Sequence, residues 1–204
     1  MPVLFLDPLF EQQFRRERER LSHDRWDEVW DGVLVVPPNP NNEHQRLVLS
    51  LAVPFASVVD RDRGDQVLPG ANVSDREEGW TENYRIPDVL VCLAGGRAKD
   101  CGTHWAGGPD LAVEIVSPGE DPRQKLAFYA AIGTRELLVV DRKPWGIELY
   151  QLVGTQLILR RCSDVAKPAV LASGVLPLTF HLVDGLPRPT IRVTHTATGQ
   201  AWVA

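Results

Sequence analysis

The segment 110–141 constrains the fold more than any other part of the chain. It begins with an apolar run, DLAVEIV at 110–116, which is typical of a buried strand. A helix is predicted over 121–132, because an aspartate and a proline open this stretch and Gly133 follows it. A second apolar run, ELLVVD at 136–141, predicts another strand. Strand, helix and strand at this spacing predict two parallel strands joined by a right-handed crossover.

Further β-structure is predicted around this unit. The predicted elements are a helix over 9–21, a hairpin over 25–36 turning at Asp31-Gly32, a helix that begins near Glu43 and that Pro54 bends or ends, strands over 66–73 and 84–93, a glycine-rich connection over 94–108, and β-segments at 146–152, 156–161, 175–183 and 190–195. The fold class is therefore α/β with mixed strand pairing. A length of 204 residues suits one domain.

Composition limits the classes of protein that the chain can represent. Its net charge is -5, whereas nucleic-acid binders usually carry a basic surface, so any contact with nucleic acid must come from a local basic patch. The three cysteines form no C-x-x-C pair, which argues against a disulfide framework and a zinc site. The N-terminus has the pattern of neither a signal peptide nor a membrane span. We therefore expect a cytoplasmic protein that makes no membrane contact.

Glu114 is the residue with the strongest physical case for chemistry. Alternation along the strand 110–116 puts Leu111, Val113 and Ile115 on one face and Glu114 on the other. Both faces of such a strand are normally covered, so a carboxylate there is costly to bury without a cation beside it. The partner can be a metal ion, or simply an arginine in a structural salt bridge.

Asp88 and Lys125 are stronger candidates for a catalytic site when they are considered together with Glu114. Asp88 lies within the apolar run YRIPDVLVCL, although Pro-Asp is also an ordinary turn dipeptide. Lys125 lies in the first turns of the predicted crossover helix, with Tyr129 four residues further on, although a helical lysine is usually a solvated surface residue. Two acids in strands and a lysine at the adjoining helix suit Mg²⁺ or Mn²⁺ and a water molecule.

The order of motifs EHQ, YRIPDVLV, PDLAVEIVSP, a lysine with a tyrosine four residues later, and ELLVVD resembles the Uma-type restriction endonuclease family, from Trp26 to Val153. The resemblance implies the PD-(D/E)XK nuclease fold, a mixed central sheet flanked by helices, here with additional strands and hairpins. It also implies a nuclease-like domain over 25–183. An N-terminal helical extension over 1–24 and a C-terminal extension over 184–204, packed on the same domain, complete the expected organisation.

The resemblance also implies roles for individual residues. Asp88 is the aspartate of the motif and Glu114 is the (D/E), while Val116 stands where the usual lysine is expected and Lys125 takes that role from the helix. Glu43 matches a helical acidic position found in many nucleases of this fold. The expected catalytic set is Asp88, Glu114, Lys125 and Glu43; the expected Mg²⁺ or Mn²⁺ ligands are Asp88, Glu114 and the Ile115 carbonyl; the accessory candidates are His44, Tyr129 and Ser117.

The expected activity is metal-dependent endonucleolytic hydrolysis of phosphodiester bonds in DNA by a homodimer. Two alternatives stay open. One is a catalytically silent nuclease-fold protein that binds DNA or a protein partner, and the other is a metal-dependent hydrolase of a different substrate. The basic residues are scattered along the chain. The prediction of a DNA substrate therefore depends on whether Arg61, Arg97, Lys99 and Arg123 surround one cleft.

Overall fold

A computed structural model describes residues 8–204; residues 1–7, the start of the expected N-terminal extension, lie outside the described residues. The helices are α1 (Pro8–Arg20), α2 (Asn42–Val58) and α3 (Leu126–Ala131), and short 3-10 turns cover Arg61–Arg63, Trp80–Glu82 and Pro122–Lys125. The strands are β1 (Glu28–Trp30), β2 (Val33–Val35), β3 (Gln66–Pro69), β4 (Val73–Ser74), β5 (Tyr84–Arg85), β6 (Val89–Cys92), β7 (Lys99–Asp100), β8 (Trp105–Ala106), β9 (Leu111–Ile115), β10 (Glu136–Arg142), β11 (Trp145–Val153), β12 (Gln156–Asp164), β13 (Val170–Ala172), β14 (Leu178–Val183), β15 (Thr190–His195) and β16 (Ala201–Val203).

The central sheet is mixed, as predicted. Its strand order is β12-β11-β10-β9-β6-β3, in which β9 and β10 run parallel and the other neighbours are antiparallel. The chain between β9 and β10 forms the 3-10 turn and then α3, so the predicted strand–helix–strand unit is confirmed. The Asp121 side chain accepts a hydrogen bond from the backbone N–H of Arg123, and Gly133 ends the unit with a φ of 85°.

Two smaller sheets complete the fold. One has the order β2-β1-β5-β4-β8-β7, and its first two strands form the predicted hairpin, with positive φ at both Asp31 and Gly32. The other has the order β13-β14-β15-β16, so residues after 183 continue a sheet begun before it. The domain boundaries at 24 and 183 stay a prediction.

The two faces of the central sheet are covered by different elements. Leu111, Val113 and Ile115 pack in one buried cluster with α2 and the four-stranded sheet, whereas Ala112 packs in another with α3. The alternation predicted for β9 is therefore confirmed, and it places Glu114 on the α3 face. Among residues 8–204, no helix combines the length and the apolar character needed to cross a membrane.

The structure differs from the prediction in where one helix ends and where one strand is interrupted. Pro54 does not end α2, which continues to Val58; Pro54 and Phe55 are both buried, so packing offsets the lost backbone donor. The predicted strand 66–73 is wrong as one element, because Gly70 adopts a φ of 61° and the chain passes from the central sheet to a smaller one.

The predicted strand 84–93 is also divided. Its first part, β5, belongs to the smaller sheet and its second part, β6, to the central sheet, with Pro87 and Asp88 between them. Asp88 therefore lies where the chain enters the central sheet. The short strands β7, β8, β13 and β16 were not predicted, since two or three residues carry too little periodicity to be recognised.

Candidate active site

A cavity of about 460 Å³ opens where β9 ends and β6 begins. Its lining contains the carboxylates of Glu28, Asp88, Glu114, Glu120 and Asp121, and the cationic side chains of Arg25 and Lys125. The structure thus brings three of the four expected catalytic residues to one cavity. Acidic groups outnumber basic ones in its lining.

Asp88 is held in place by both of its carboxylate oxygens. Oδ2 accepts a 2.6 Å hydrogen bond from the backbone N–H of Ile115, and Oδ1 lies 3.2 Å from Nε2 of His44. The backbone N–H of Asp88 also donates to the Val113 carbonyl at 2.9 Å. Because the next residue along β6 pairs with Val113, Asp88 lies beside Glu114 on the neighbouring strand.

Glu114 is buried and fully hydrogen-bonded. The Tyr129 hydroxyl donates to its Oε1 at 2.6 Å, and Nζ of Lys125 lies 3.0 Å from each carboxylate oxygen. Burial raises the pKa of Glu114 to about 8; Lys125 opposes this shift, and the charge of Asp88 adds to it.

Lys125 ends the 3-10 turn that precedes α3, and its side chain is mostly buried. Its Nζ also donates to Oε1 of Glu28 at 2.8 Å. Burial alone would lower the pKa of Lys125, but the charges of Glu114 and Glu28 together raise it. At neutral pH the residue is therefore a fixed ammonium, able to donate hydrogen bonds and unable to act as a base.

Glu28 is the residue of this site that the sequence reasoning missed. It lies on β1, is buried, and accepts from the backbone N–H of Ile86 at 2.8 Å and from Nε1 of Trp30 at 2.7 Å, in addition to Lys125. The signal that was present is an acid inside an apolar hairpin strand, the same pattern that singled out Glu114.

Comparison with known proteins identifies the family of this chain. Residues 11–182 match the model of the Uma2 family, which is described as "Putative restriction endonuclease". The chain belongs to the Uma2 family. A solved structure described as a putative nuclease belonging to DUF820, from Anabaena variabilis ATCC 29413, has a TM-score of 0.54 and 18% identity, and the match covers 68% of this chain and 76% of that chain. This likeness shows that the two chains share a fold. No curated protein matches the chain.

The accessory candidates of this Uma2 protein also lie at the cavity. His44, Tyr129 and Ser117 are all buried; His44 and Ser117 are in the lining, and Tyr129 reaches Glu114 from behind it. Nε2 of His44 contacts Asp88, while its buried Nδ1 has no hydrogen-bond partner among the described residues. Ile115, whose carbonyl was the expected third metal ligand, is in the lining too.

Glu43 is not brought to the cavity. Its carboxylate lies 3.3 Å from Nη1 of Arg142 and 3.5 Å from Nε of Arg188, and it is absent from the lining. Consecutive helical residues point about 100° apart, so when His44 faces Asp88 its neighbour faces elsewhere. The placement of Glu43 does not favour the catalytic role that the family pattern implied.

The basic residues considered for DNA contact do not surround the cavity. Arg61, Arg97, Lys99 and Arg123 are all absent from its lining. Lys99 pairs with Glu77, and Arg123 pairs with Asp121, Asp141 and Glu148. These four residues therefore do not form a ring around the cavity, and within the described part of the chain Arg25 is the exposed cation of the lining.

Proposed function

We propose that this Uma2 protein is a metal-dependent endonuclease that hydrolyses phosphodiester bonds in DNA. The observation that carries the proposal is that Asp88, Glu114 and Lys125 line one cavity. The two acids come from neighbouring strands of the central sheet, and Lys125 contacts Glu114 from the turn before α3. Glu114 is buried, which is costly for a carboxylate, and Asp88 is partly exposed; both are held by hydrogen bonds.

The donors suit Mg²⁺ or Mn²⁺. Asp88, Glu114 and the Ile115 carbonyl would hold the ion, and hard oxygen donors are the ligands that these ions prefer. No group of three or more His, Cys, Asp or Glu side chains suited to a metal occurs among residues 8–204. Mg²⁺ is commonly bound through one or two carboxylates and keeps several waters, so two carboxylates and a carbonyl fit it. When bound, the ion supplies a polarised phosphate and a water of lowered pKa.

The side chains of the cavity have separate tasks in this proposal. Lys125 presents a fixed positive charge where negative charge develops on the phosphate, and it can orient the attacking water through its ammonium. Tyr129 and Lys125 hold Glu114 in one orientation. His44 and the Ile115 N–H do the same for Asp88.

Cleavage of circular DNA tests the proposal. Purified protein is incubated with supercoiled plasmid and with circular single-stranded DNA, with Mg²⁺, with Mn²⁺ and with EDTA. Cutting that needs the metal and is lost in Asp88→Asn and Glu114→Gln supports the proposal. Glu136→Gln is the matched control, because Glu136 is an equally buried carboxylate on the adjacent strand β10 and lies outside this cavity. Cutting by Glu114→Gln at the wild-type rate contradicts it, and so does wild-type protein that cuts neither circle.

The acidic lining favours a second candidate, a metal-dependent hydrolase of a substrate other than nucleic acid. Five carboxylates and two cationic side chains line the cavity, which is a poor surface for a polyanion. Metal binding that depends on Asp88, measured by calorimetric titration with Mn²⁺, combined with no cutting of DNA or RNA, would favour this candidate. Absence of both metal binding and cutting would favour a catalytically silent protein of the same fold.

A further inference from the structure

We infer that the cavity receives one unpaired nucleotide of single-stranded DNA, with its base against the wall formed by Trp26 and Trp30 and its phosphate toward Lys125. This inference rests on the proposed nuclease function and names the form of its substrate. It follows from the size of the cavity, from the tryptophans in its lining and from its charge.

The size of the cavity suits a small group of atoms. At about 460 Å³ it falls within the range of roughly 300–1,000 Å³ that is usual for small-molecule sites. Of the carboxylates in its lining, Glu28 and Glu114 are buried, whereas Asp88 and Glu120 are partly exposed. An unpaired base can enter a pocket of this size, whereas a base stacked in a duplex must first be flipped out at a cost in stacking and pairing energy.

Aromatic and proline side chains form part of the cavity lining. Besides Trp26 and Trp30, it contains five prolines, which are Pro37, Pro38, Pro40, Pro69 and Pro122. Aromatic faces bind every base by stacking, and so they hold single strands without sequence preference. Prolines in the wall leave few backbone donors there to discriminate one base from another.

Both tryptophans are held in place by neighbouring groups. The Trp26 ring passes so close to Gly70 that a Cβ added there would lie 2.6 Å from Cζ3, so a larger residue would displace the ring. Nε1 of Trp30 donates to Glu28, and the Arg85 guanidinium lies 4.6 Å from the Trp30 ring centroid. Glu28 thus connects the aromatic wall to Lys125.

The charge distribution favours a single strand over a duplex. Duplex binders neutralise a row of phosphates with many lysines and arginines, whereas the lining supplies Arg25 and Lys125 alone. Arg25 is exposed, makes no ion pair with a described residue, and lies 5.0 Å from the centroid of Trp26. It can therefore turn from the ring toward the phosphate of an entering nucleotide.

Fluorescence anisotropy with Ca²⁺ in place of Mg²⁺ tests the inference by binding rather than cutting. The probes are a fluorescein-labelled twelve-nucleotide single strand and the duplex of the same sequence. We expect the wild-type protein to bind the single strand more tightly than the duplex. Trp26→Ala should weaken single-strand binding about tenfold or more, which is the usual effect of removing a stacking platform.

Trp145→Ala is the matched control. Trp145 is also partly buried and also has an arginine, Arg188, stacked 5.0 Å from its ring, but it lies outside the cavity. Its removal should leave the single-strand affinity unchanged. If Trp26→Ala does not fold, Trp26→Phe is used in its place and is compared with Gly70→Ala, which displaces the Trp26 ring. Trp26→Phe should retain more of the single-strand affinity than Gly70→Ala.

The outcomes separate this inference from the proposed function. The inference is overturned if the protein binds the duplex as tightly as the single strand or more tightly, even if it cuts plasmid DNA. It is also overturned if Trp26→Ala leaves the single-strand affinity unchanged. Failure to bind either probe also overturns it. Conversely, Trp26-dependent binding of the single strand by a protein that cuts no DNA supports the nucleotide cavity and contradicts the nuclease.

Discussion

Glu28 and Lys125, which are 97 residues apart in the sequence, are joined by a hydrogen-bonded ion pair of 2.8 Å. Glu28 comes from the N-terminal hairpin and Lys125 from the crossover of the central sheet. The pair therefore fixes the hairpin against the edge of the sheet where Asp88 and Glu114 lie. It also means that Lys125 neutralises two carboxylates, one from each part of the fold.

Replacing Glu28 by glutamine should slow DNA cleavage without unfolding the protein. Lys125 would lose one of its two anionic partners, and a displacement of a catalytic group by about 1 Å can cost about 100-fold in rate. The amide would also meet Nε1 of Trp30, a donor, so we expect a loss of about 1–3 kcal/mol in the free energy of unfolding. Cleavage rates and urea unfolding measure the two effects.

Glu136→Gln serves as the control for that variant, because Glu136 is also buried and accepts hydrogen bonds from Ser173, Gln151 and the backbone of Gly174. A similar fall in cleavage in both variants would mean that loss of any buried carboxylate suffices, and would remove the specific role of Glu28.

Replacing Lys125 by methionine should both abolish cleavage and destabilise the fold. Removing one partner of a buried ion pair leaves the other uncompensated, which costs about 3–5 kcal/mol, and here two carboxylates lose their cation. The double variant with Glu28→Gln should be less destabilised than the sum of the single variants, since both changes remove the same interaction. Urea unfolding of the four proteins gives this coupling, and strict additivity would contradict the pairing.

The local part of the site could be predicted from the sequence. Glu114 stands out because both faces of an apolar strand are covered, so a carboxylate on either face is costly to bury. Lys125 and Tyr129 are four residues apart and therefore lie on one helix face. These relationships depend only on neighbours along the chain. In the structure both side chains reach Glu114.

The non-local part could not be predicted in the same way. Glu28 reaches the site because the hairpin packs on the sheet. Periodicity in the sequence does not indicate which acid contacts which lysine when the two are 97 residues apart. Glu43 shows the opposite case, a residue that the family pattern implies and that the structure places outside the cavity. Its type and place at a helix start fit a family pattern, but the rotation of α2 turns His44 to the cavity instead. The split of strands at Gly70 and Pro87 likewise depends on tertiary contacts.

Cys92 should be unreactive in the folded protein. It is buried in the central sheet, and burial, together with the charges of Asp110 and Asp100, raises the pKa of its thiol, so the reactive thiolate is scarce. Cys162 is exposed and Cys101 is half-buried, and both should react with Ellman's reagent under native conditions. The third thiol should appear only in urea. Cys92→Ala identifies it, because this variant should lose the late reaction alone; three thiols reacting at once in native protein would contradict the burial of β6.

Replacing Glu43 by glutamine should leave DNA cleavage unchanged. The carboxylate is partly exposed and bridges Arg142 and Arg188 outside the cavity, so we expect a loss of stability below about 1 kcal/mol. Arg142 stays held without it, because its Nε and Nη2 donate to the Val116 carbonyl at 3.1 and 3.0 Å. The comparison is with Asp88→Asn, which removes an equal charge inside the cavity and should abolish cleavage. A folded Glu43→Gln protein that fails to cut would restore Glu43 to the catalytic set, and would require α2 to turn toward the cavity when DNA binds.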